Sequence, residues 1–296
     1  MSTHDMHQRI ATGQGFLAAL DQSGGSTPKA LAAYGIPADA YEGDEAMFDL
    51  VHQMRARIIT SPAFRADRVL GAILFEGTMD REVADEPTPH YLWRSKGVVP
   101  FVKVDKGLEE PVDGVQLMRP MPGLDELLAR ARGLEVFGTK MRSVIQHADE
   151  QGVARNVAQQ FEIGHRILDA GLVPILEPEV DIHSPSKAEA ERLLLAGIER
   201  HLEELPGDAQ VMLKLSIPST DGLYSGLIAH PRVLRVVALS GGYPRAEANE
   251  RLARNPGLIA SFSRALVEDL SATQDDDAFD AALDAAIDGI FRASIT

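Results

Sequence analysis

A single recurrence constrains the fold most. Eight short apolar runs, each closing on polar residues or glycine, are spread along the chain: GFLAALDQS (15 to 23), VLGAILFEG (69 to 77), VVPFVKVD (98 to 105), FGTKMRSVI (137 to 145), LVPILEPEV (172 to 180), QVMLKLSI (210 to 217), VLRVVALSGG (233 to 242) and LIASFSRAL (258 to 266). Runs of this kind mark strands buried on both faces. Most intervals between them carry helical patterns, among them DEAMFDLVHQMRARIIT, GLDELLARARGL, EQGVARNVAQQFEIGHRILDAG and KAEAERLLLAGIERHLEEL. Alternating strand and helix predicts a parallel α/β fold, and a count of eight favours a closed (β/α)8 TIM barrel over an open sheet. No internal repeat or Gly/Ser linker divides the chain, so residues 1–296 read as one domain with a short N-terminal extension and a C-terminal helix and tail. The amphipathic run DAFDAALDAAIDGIF suits packing on its own barrel or on a neighbour, which leaves a homo-oligomer open.

Composition limits the partners. At 296 residues and 45% hydrophobic the chain has enough apolar material for one large core. A formal charge of −15 disfavours nucleic acid and anionic membranes, so an anionic ligand has to be caught by a local basic pocket. The absence of cysteine removes disulfides, iron–sulfur clusters and thiolate zinc sites. The opening MSTHDMHQRIATGQG has no apolar signal-like run, and no stretch reaches membrane-spanning length, so the expected location is the cytoplasm.

Barrels of this type carry their chemistry where the strands end. The polar residues expected there are Asp21, Glu76, Lys103 and Asp105, Lys140 and Arg142, Glu177 and Glu179, Lys214, Ser240 with Gly241 and Gly242, and Arg264. The period-2 pleat lets Lys103 and Asp105, Lys140 and Arg142, and Glu177 and Glu179 each point inward as pairs. Only seven of the 29 basic residues are lysine, and three of those seven fall inside strand runs. A lysine retained in an arginine-biased chain offers what arginine cannot, an amine able to lose its proton and attack. Each feature also has a structural explanation: Lys214 can snorkel or pair, Glu177 and Glu179 can form ion pairs, and Gly-Gly can be a plain turn. Their common location at one end of different strands argues for a site.

A lysine in such a mouth can form a Schiff base with a ketone, whose cationic nitrogen accepts the electrons of the adjacent carbon–carbon bond. The attacking amine must be neutral, and lowering an ordinary lysine by roughly 3 pKa units amounts to about 4 kcal/mol. Burial and neighbouring cations, here Lys140 and Arg142, act in that direction. Glu177 on the adjacent strand is the expected acid/base partner, and Asp21 the carboxylate for a hydroxyl of the bound molecule. Ser240, Gly241, Gly242 and Arg264 follow strands seven and eight, where barrels commonly bind phosphate. Together these groups describe a lyase acting on a sugar phosphate, without metal or cofactor.

In order and spacing, LDQSGGS, ILFEGTMDR, YLWRSKGVVPFVKVDKGL, LEPEV, LKLSIP and LSGGY resemble the class I fructose-bisphosphate aldolases over nearly the whole chain, and GVQLMRPMPGLDELL resembles their shorter bacterial branch. The resemblance implies reversible cleavage of fructose 1,6-bisphosphate through a lysine Schiff base, in glycolysis and gluconeogenesis. It implies that Lys214 forms the imine, that Glu177 is its acid/base partner, and that Asp21 manages the hydroxyl proton. Lys140 and Arg142, with Glu179 beside them, would tune the charge. Lys103, Ser240, Gly241, Gly242 and Arg264 would help hold phosphates, with Ser23 and Ser26 on the second phosphate. Two departures stand out. Gln22 and Ala30 occupy positions where animal members commonly have Glu and Arg, and the final FRASIT lacks their terminal Tyr, so another group or water is expected to exchange the carbanion proton. Rival readings are another Schiff-base barrel such as a transaldolase or deoxyribose phosphate aldolase, a zinc-dependent aldolase, and a noncatalytic scaffold. The nine histidines show neither H-x-H nor H-x-x-x-H, which counts against zinc.

Overall fold

The computed structural model describes residues 2–23 and 27–296. Every apolar run contributes a strand: β1 (Phe16–Leu20), β2 (Val69–Leu74), β3 (Val99–Lys103), β4 (Gly138–Ile145), β5 (Val173–Val180), β6 (Val211–Ser216), β7 (Val233–Leu239) and β8 (Ile259–Ala260). They pair in parallel in chain order from β1 to β8. The Ala19 N–H donates to the Phe262 carbonyl at 3.1 Å, which joins the two ends of the sheet into a nearly closed barrel. The longer helices are α1 (Thr3–Thr12), α2 (Gly43–Thr60), α3 (Leu124–Gly133), α4 (Glu150–Asp169), α5 (Lys187–Leu202), α6 (Arg245–Ala253) and α7 (Asp276–Ala293).

Alternation along each strand sends successive side chains into two separate cores. Leu17, Ala19, Ile73, Val99, Phe101, Ile175, Met212, Val237 and Ile259 fill the barrel interior. The residues between them, such as Ala18, Leu20, Val102, Met141, Leu176 and Leu213, pack under the helices. Helix α1 plugs the N-terminal end of the barrel, adding Met6 and Ile10 to the interior. Its last carbonyls, at Ile10 and Ala11, and that of Gly13 all accept hydrogen bonds from Arg235, so a cation meets the negative end of the helix.

The face of β4 is set by hydrogen bonds on its helix side. Ser143 donates to Asn156 Oδ1 at 2.9 Å and accepts from Gln160 Nε2 at 2.7 Å, both on α4. With Ser143 facing outward, Lys140 and Arg142 are placed on the interior face. Helix α4 is itself started by Asp149, whose side chain accepts from Gly152 N.

Two expectations change. The eighth run forms a ladder only at Ile259 and Ala260, opposite Val237 and Ala238, and its later half turns into a short helix, Arg264–Val267. Past Ala260 single main-chain bonds remain on either side, from the Ser261 N–H to the Ala238 carbonyl at 2.7 Å and from the Ala19 N–H to the Phe262 carbonyl at 3.1 Å, without a further ladder. Glu76 also leaves the barrel: the chain turns into a helical segment, Glu76–Met79, and its carboxylate pairs outside with Lys106 and Arg130. Its parity with Leu74, a residue of the outer core, places it on the wrong face for the mouth. The run DAFDAALDAAIDGIF, in α7, packs on its own barrel, burying Phe279, Leu283, Ala286, Ile287 and Ile290.

Candidate active site

The parallel register stacks the polar residues into layers. Lys103 pairs with Lys140, Lys140 with Ile175, and Arg142 with Glu177. Leu176 pairs with Leu213, which sets Glu177 beside Lys214 at the next position. Partners in a parallel pair point to the same face, so strands β3 to β6 deliver their charged groups to one cavity of about 370 Å³ at the strand ends. Asp21, Ser23, Lys103, Lys140, Arg142, Glu177, Glu179, Lys214, Ser240, Gly241 and Arg264 all line it. Ser26 lies outside the described residues. Gly242 adjoins the cavity, its missing side chain leaving room beside Arg264.

The deepest charges form a chain. Lys140 Nζ lies 2.6 Å from Asp21 Oδ2 and 2.8 Å from Glu177 Oε2, and Lys214 Nζ lies 3.1 Å from Glu177 Oε1. Glu177 therefore bridges two ammonium groups, while Lys140 is shared by two carboxylates. All four are buried. Burial pushes the Asp21 carboxyl up, but Lys140 and then Lys214 outweigh it and hold the group well below the ordinary carboxylate range. Burial also opposes ionised Glu177, and the same two lysines again prevail, so its carboxyl is lowered. Burial works against charged Lys140, and Asp21 followed by Glu177 overrides it, raising its pKa. Lys140 is thus a fixed cation and Asp21 and Glu177 are anions.

Around this chain lies a second ring. Arg142 Nε donates to Glu179 Oε2 at 2.5 Å, and this partner keeps the guanidinium charged against burial. Lys103 Nζ is turned onto Asp105, 2.7 Å from both its carboxylate and its carbonyl, and the other carboxylate oxygen accepts from the Arg142 main-chain N–H at 3.1 Å. Arg264 has no ion-pair partner among the described residues. It lies beside the turn at Ser240, Gly241 and Gly242, where φ of +62° at Gly241 and +123° at Gly242 suits residues without Cβ. An unpaired guanidinium next to an exposed glycine backbone is an arrangement suited to a phosphate.

Several contributors were missed from sequence. Ser261 and Ser263 line the cavity, and both follow Ile259 at period 2, so the pleat filter applied to the eighth run would have found them. Gln22 also lines it, donating to Ser263 Oγ at 2.6 Å. The only local signal for Lys187 is its i,i+4 spacing to Glu191, which ordinarily marks an exposed helix pair. Lys187 is buried on α5, pairs with Glu191, and donates to Ile217 O at 2.8 Å and Ser219 Oγ at 3.1 Å. It thereby pins the chain that follows β6, the strand carrying Lys214.

Comparison with known proteins bears on this geometry. The family profile for fructose-bisphosphate aldolase class-I matches residues 3–191. A fructose-bisphosphate aldolase class 1 of Synechocystis sp. is 59% identical over 98% of this chain and 96% of its own length. Namesakes from Porphyromonas gingivalis and Clostridium acetobutylicum are each 56% identical, over 97% of this chain and 98% of their own lengths. Among solved structures, fructose-bisphosphate aldolase from Plasmodium falciparum, in complex with TRAP and a small-molecule inhibitor, superposes with a TM-score of 0.76 at 19% identity, covering 99% of this chain and 94% of that one. That likeness bears on the fold alone.

Proposed function

Because the chain belongs to the class I fructose-bisphosphate aldolase family, we propose that its cavity carries out the aldol cleavage of fructose 1,6-bisphosphate with Lys214 as the nucleophile. The products are dihydroxyacetone phosphate and glyceraldehyde 3-phosphate, and the reaction is reversible, serving glycolysis and gluconeogenesis. The observation that carries the assignment of roles is the Glu177 carboxylate lying between Lys140 and Lys214 at 2.8 and 3.1 Å.

Lys214 Nζ attacks the ketose carbonyl carbon to give a carbinolamine. Loss of water then requires an acid at the departing hydroxyl, and Glu177 is the carboxyl group at the lysine nitrogen. Lys214 is one of the two cations that hold Glu177 ionised. The Lys214 ammonium passes one proton to the Glu177 carboxylate 3.1 Å away and so becomes the neutral amine that attacks, and Glu177 then gives that proton to the carbinolamine hydroxyl, which leaves as water. In the imine, the C3–C4 bond breaks as a carboxylate takes the C4 hydroxyl proton, and its electrons pass to the iminium nitrogen. Asp21, anchored on Lys140, is assigned that role. Lys140 stays charged throughout and stabilises the oxygen from which the proton departs. Another side chain or water protonates the resulting enamine carbon. Arg264 with Ser240, Gly241 and Gly242 would hold one phosphate, and Lys103 with Ser23 and Ser26 the other. Arg142 and Glu179 brace the wall between them.

On the same reading, residues 1–296 act as one catalytic unit in the cytoplasm, without nucleic acid or membrane partners and with homo-oligomerisation left open. The acidic charge of −15 supports this, as does the lack, among the described residues, of any helix long and apolar enough to cross a membrane. Borohydride reduction in the presence of dihydroxyacetone phosphate, followed by peptide mass spectrometry, tests the assignment. The expected result is one stable adduct among the seven lysines, on Lys214, with neither adduct nor turnover in Lys214→Arg. An adduct on another lysine, or normal turnover by that variant, would sink it.

A further inference from the structure

Arg55 on α2 is fully buried, at 0% exposure, and none of the described carboxylates lies within ion-pair distance of it. Its Nη1 donates to Thr78 Oγ1 at 2.7 Å and its Nη2 to the Gln22 carbonyl at 2.5 Å, while Nε has no partner among the described residues. The guanidinium lies near the Phe75 ring, 5.9 Å from its centroid. Burial lowers its pKa to about 10, and the one carboxylate whose field opposes this is Asp21. A desolvated, unpaired guanidinium is unfavourable for stability, and an apolar side chain of similar size would fill the same space without that cost. Its retention calls for a role other than holding the fold together.

The acceptors indicate what that role is. Gln22 directly follows Asp21, and its side chain is held from the opposite side by Ser263 Oγ at 2.6 Å. The segment leaving β1 is thus fixed twice within one residue, by main chain to α2 and by side chain to the exit of β8. Thr78, the other acceptor, sits just past the end of β2. Asp21 is then held where its carboxylate meets Lys140 at 2.6 Å.

We propose that Arg55 is a positioning residue for the aldol reaction: it anchors the main chain at Gln22 and so aims the Asp21 carboxylate at Lys140 and at the hydroxyl of the bound ketose phosphate. The inference rests on the role given to Asp21 above, so Asp21→Asn is measured alongside. Steady-state kinetics with fructose 1,6-bisphosphate and thermal unfolding are compared for wild type, Arg55→Met, Arg55→Lys and Asp21→Asn. Arg55→Met removes a buried charge but leaves the Thr78 hydroxyl and the Gln22 carbonyl without their donor, so its melting temperature should fall by no more than about 5 °C. Its kcat should fall by about 10- to 100-fold, because displacing an acid/base group by about 1 Å has that effect. Its KM should move by less than about threefold, since the phosphate contacts remain. Arg55→Lys, able to reach the Gln22 carbonyl with one donor, should recover part of kcat.

A folded Arg55→Met with wild-type kcat would overturn the proposal, and so would a loss of kcat that merely tracks the loss of folded protein. Should the Met variant fail to fold, Arg55→Lys decides in the same way, by a fall in kcat at unchanged melting temperature or by none. If Asp21→Asn turns over normally, the reading of Asp21 fails. If Asp21→Asn is inactive while folded Arg55→Met is not, the Arg55 inference fails alone.

Discussion

Burying two lysines beside one carboxylate is tolerated only when each charge finds compensation within hydrogen-bonding reach, and in this cavity the compensation is uneven. Lys140 has two carboxylate partners, Asp21 and Glu177, whereas Lys214 has a share of Glu177 alone. That difference suits one lysine to serve as a permanent cation and the other to react. It also sets a pH dependence. The Asp21 carboxyl is lowered in the folded chain, so its contribution to stability is complete above the unfolded value of about 3.9 and is lost as pH falls toward the folded one. The raised Lys140 has the opposite sign, its contribution being lost only as pH rises past the ordinary lysine range. Melting temperatures of wild type and Asp21→Asn should therefore converge as pH is lowered below about 4.5. Parallel curves over that interval would mean that Asp21 is not held down by its lysines.

At the scale of elements, β4 matters most, because one strand brings Lys140 and Arg142 inward together while Ser143 ties its other face to α4. Gly138 begins this strand where a side chain has no room: a Cβ would lie 2.2 Å from the Val173 carbonyl and 3.0 Å from the Phe101 ring. Gly138→Ala must displace β5 or the ring, and should destabilise the protein by about 1–3 kcal/mol in urea unfolding. Unchanged stability would mean that β4 and β5 can separate at Gly138 at little cost. Period-2 reading made most of this legible, since the Lys140 and Arg142 pair and the Glu177 and Glu179 pair both face the cavity as expected. The same rule, carried through consistently, rejects Glu76 and admits Ser261 and Ser263. The eighth run departs from a strand because the chain turns into the helix Arg264–Val267 soon after its last bonds to β7 and β1, and composition does not record where a buried apolar run turns.

For the whole molecule, the two-core arrangement makes α1 part of the barrel, since Met6 and Ile10 close its lower end. Ile10 is wholly buried, so Ile10→Ala should lower stability by about 2–5 kcal/mol. Calorimetry would check this, and a loss below about 1 kcal/mol would show that the N-terminal helix is dispensable packing.

The linear order of residues was enough to determine the strand count, the parallel architecture and the face on which each charged pair emerges, because buried strands impose their periodicity on composition. Motif order was likewise enough to indicate the family. Tertiary structure alone decided which charges meet. Glu177 lies between Lys140 and Lys214, Lys103 is turned onto Asp105, and Arg264 is left without a carboxylate among the described residues. The roles of Arg55 and Lys187 were invisible in sequence for the same reason. Their partners, the main chain of Gln22 and of Ile217, lie 33 and 30 residues away. A main-chain carbonyl can be offered by any residue, so nothing in the sequence marks it.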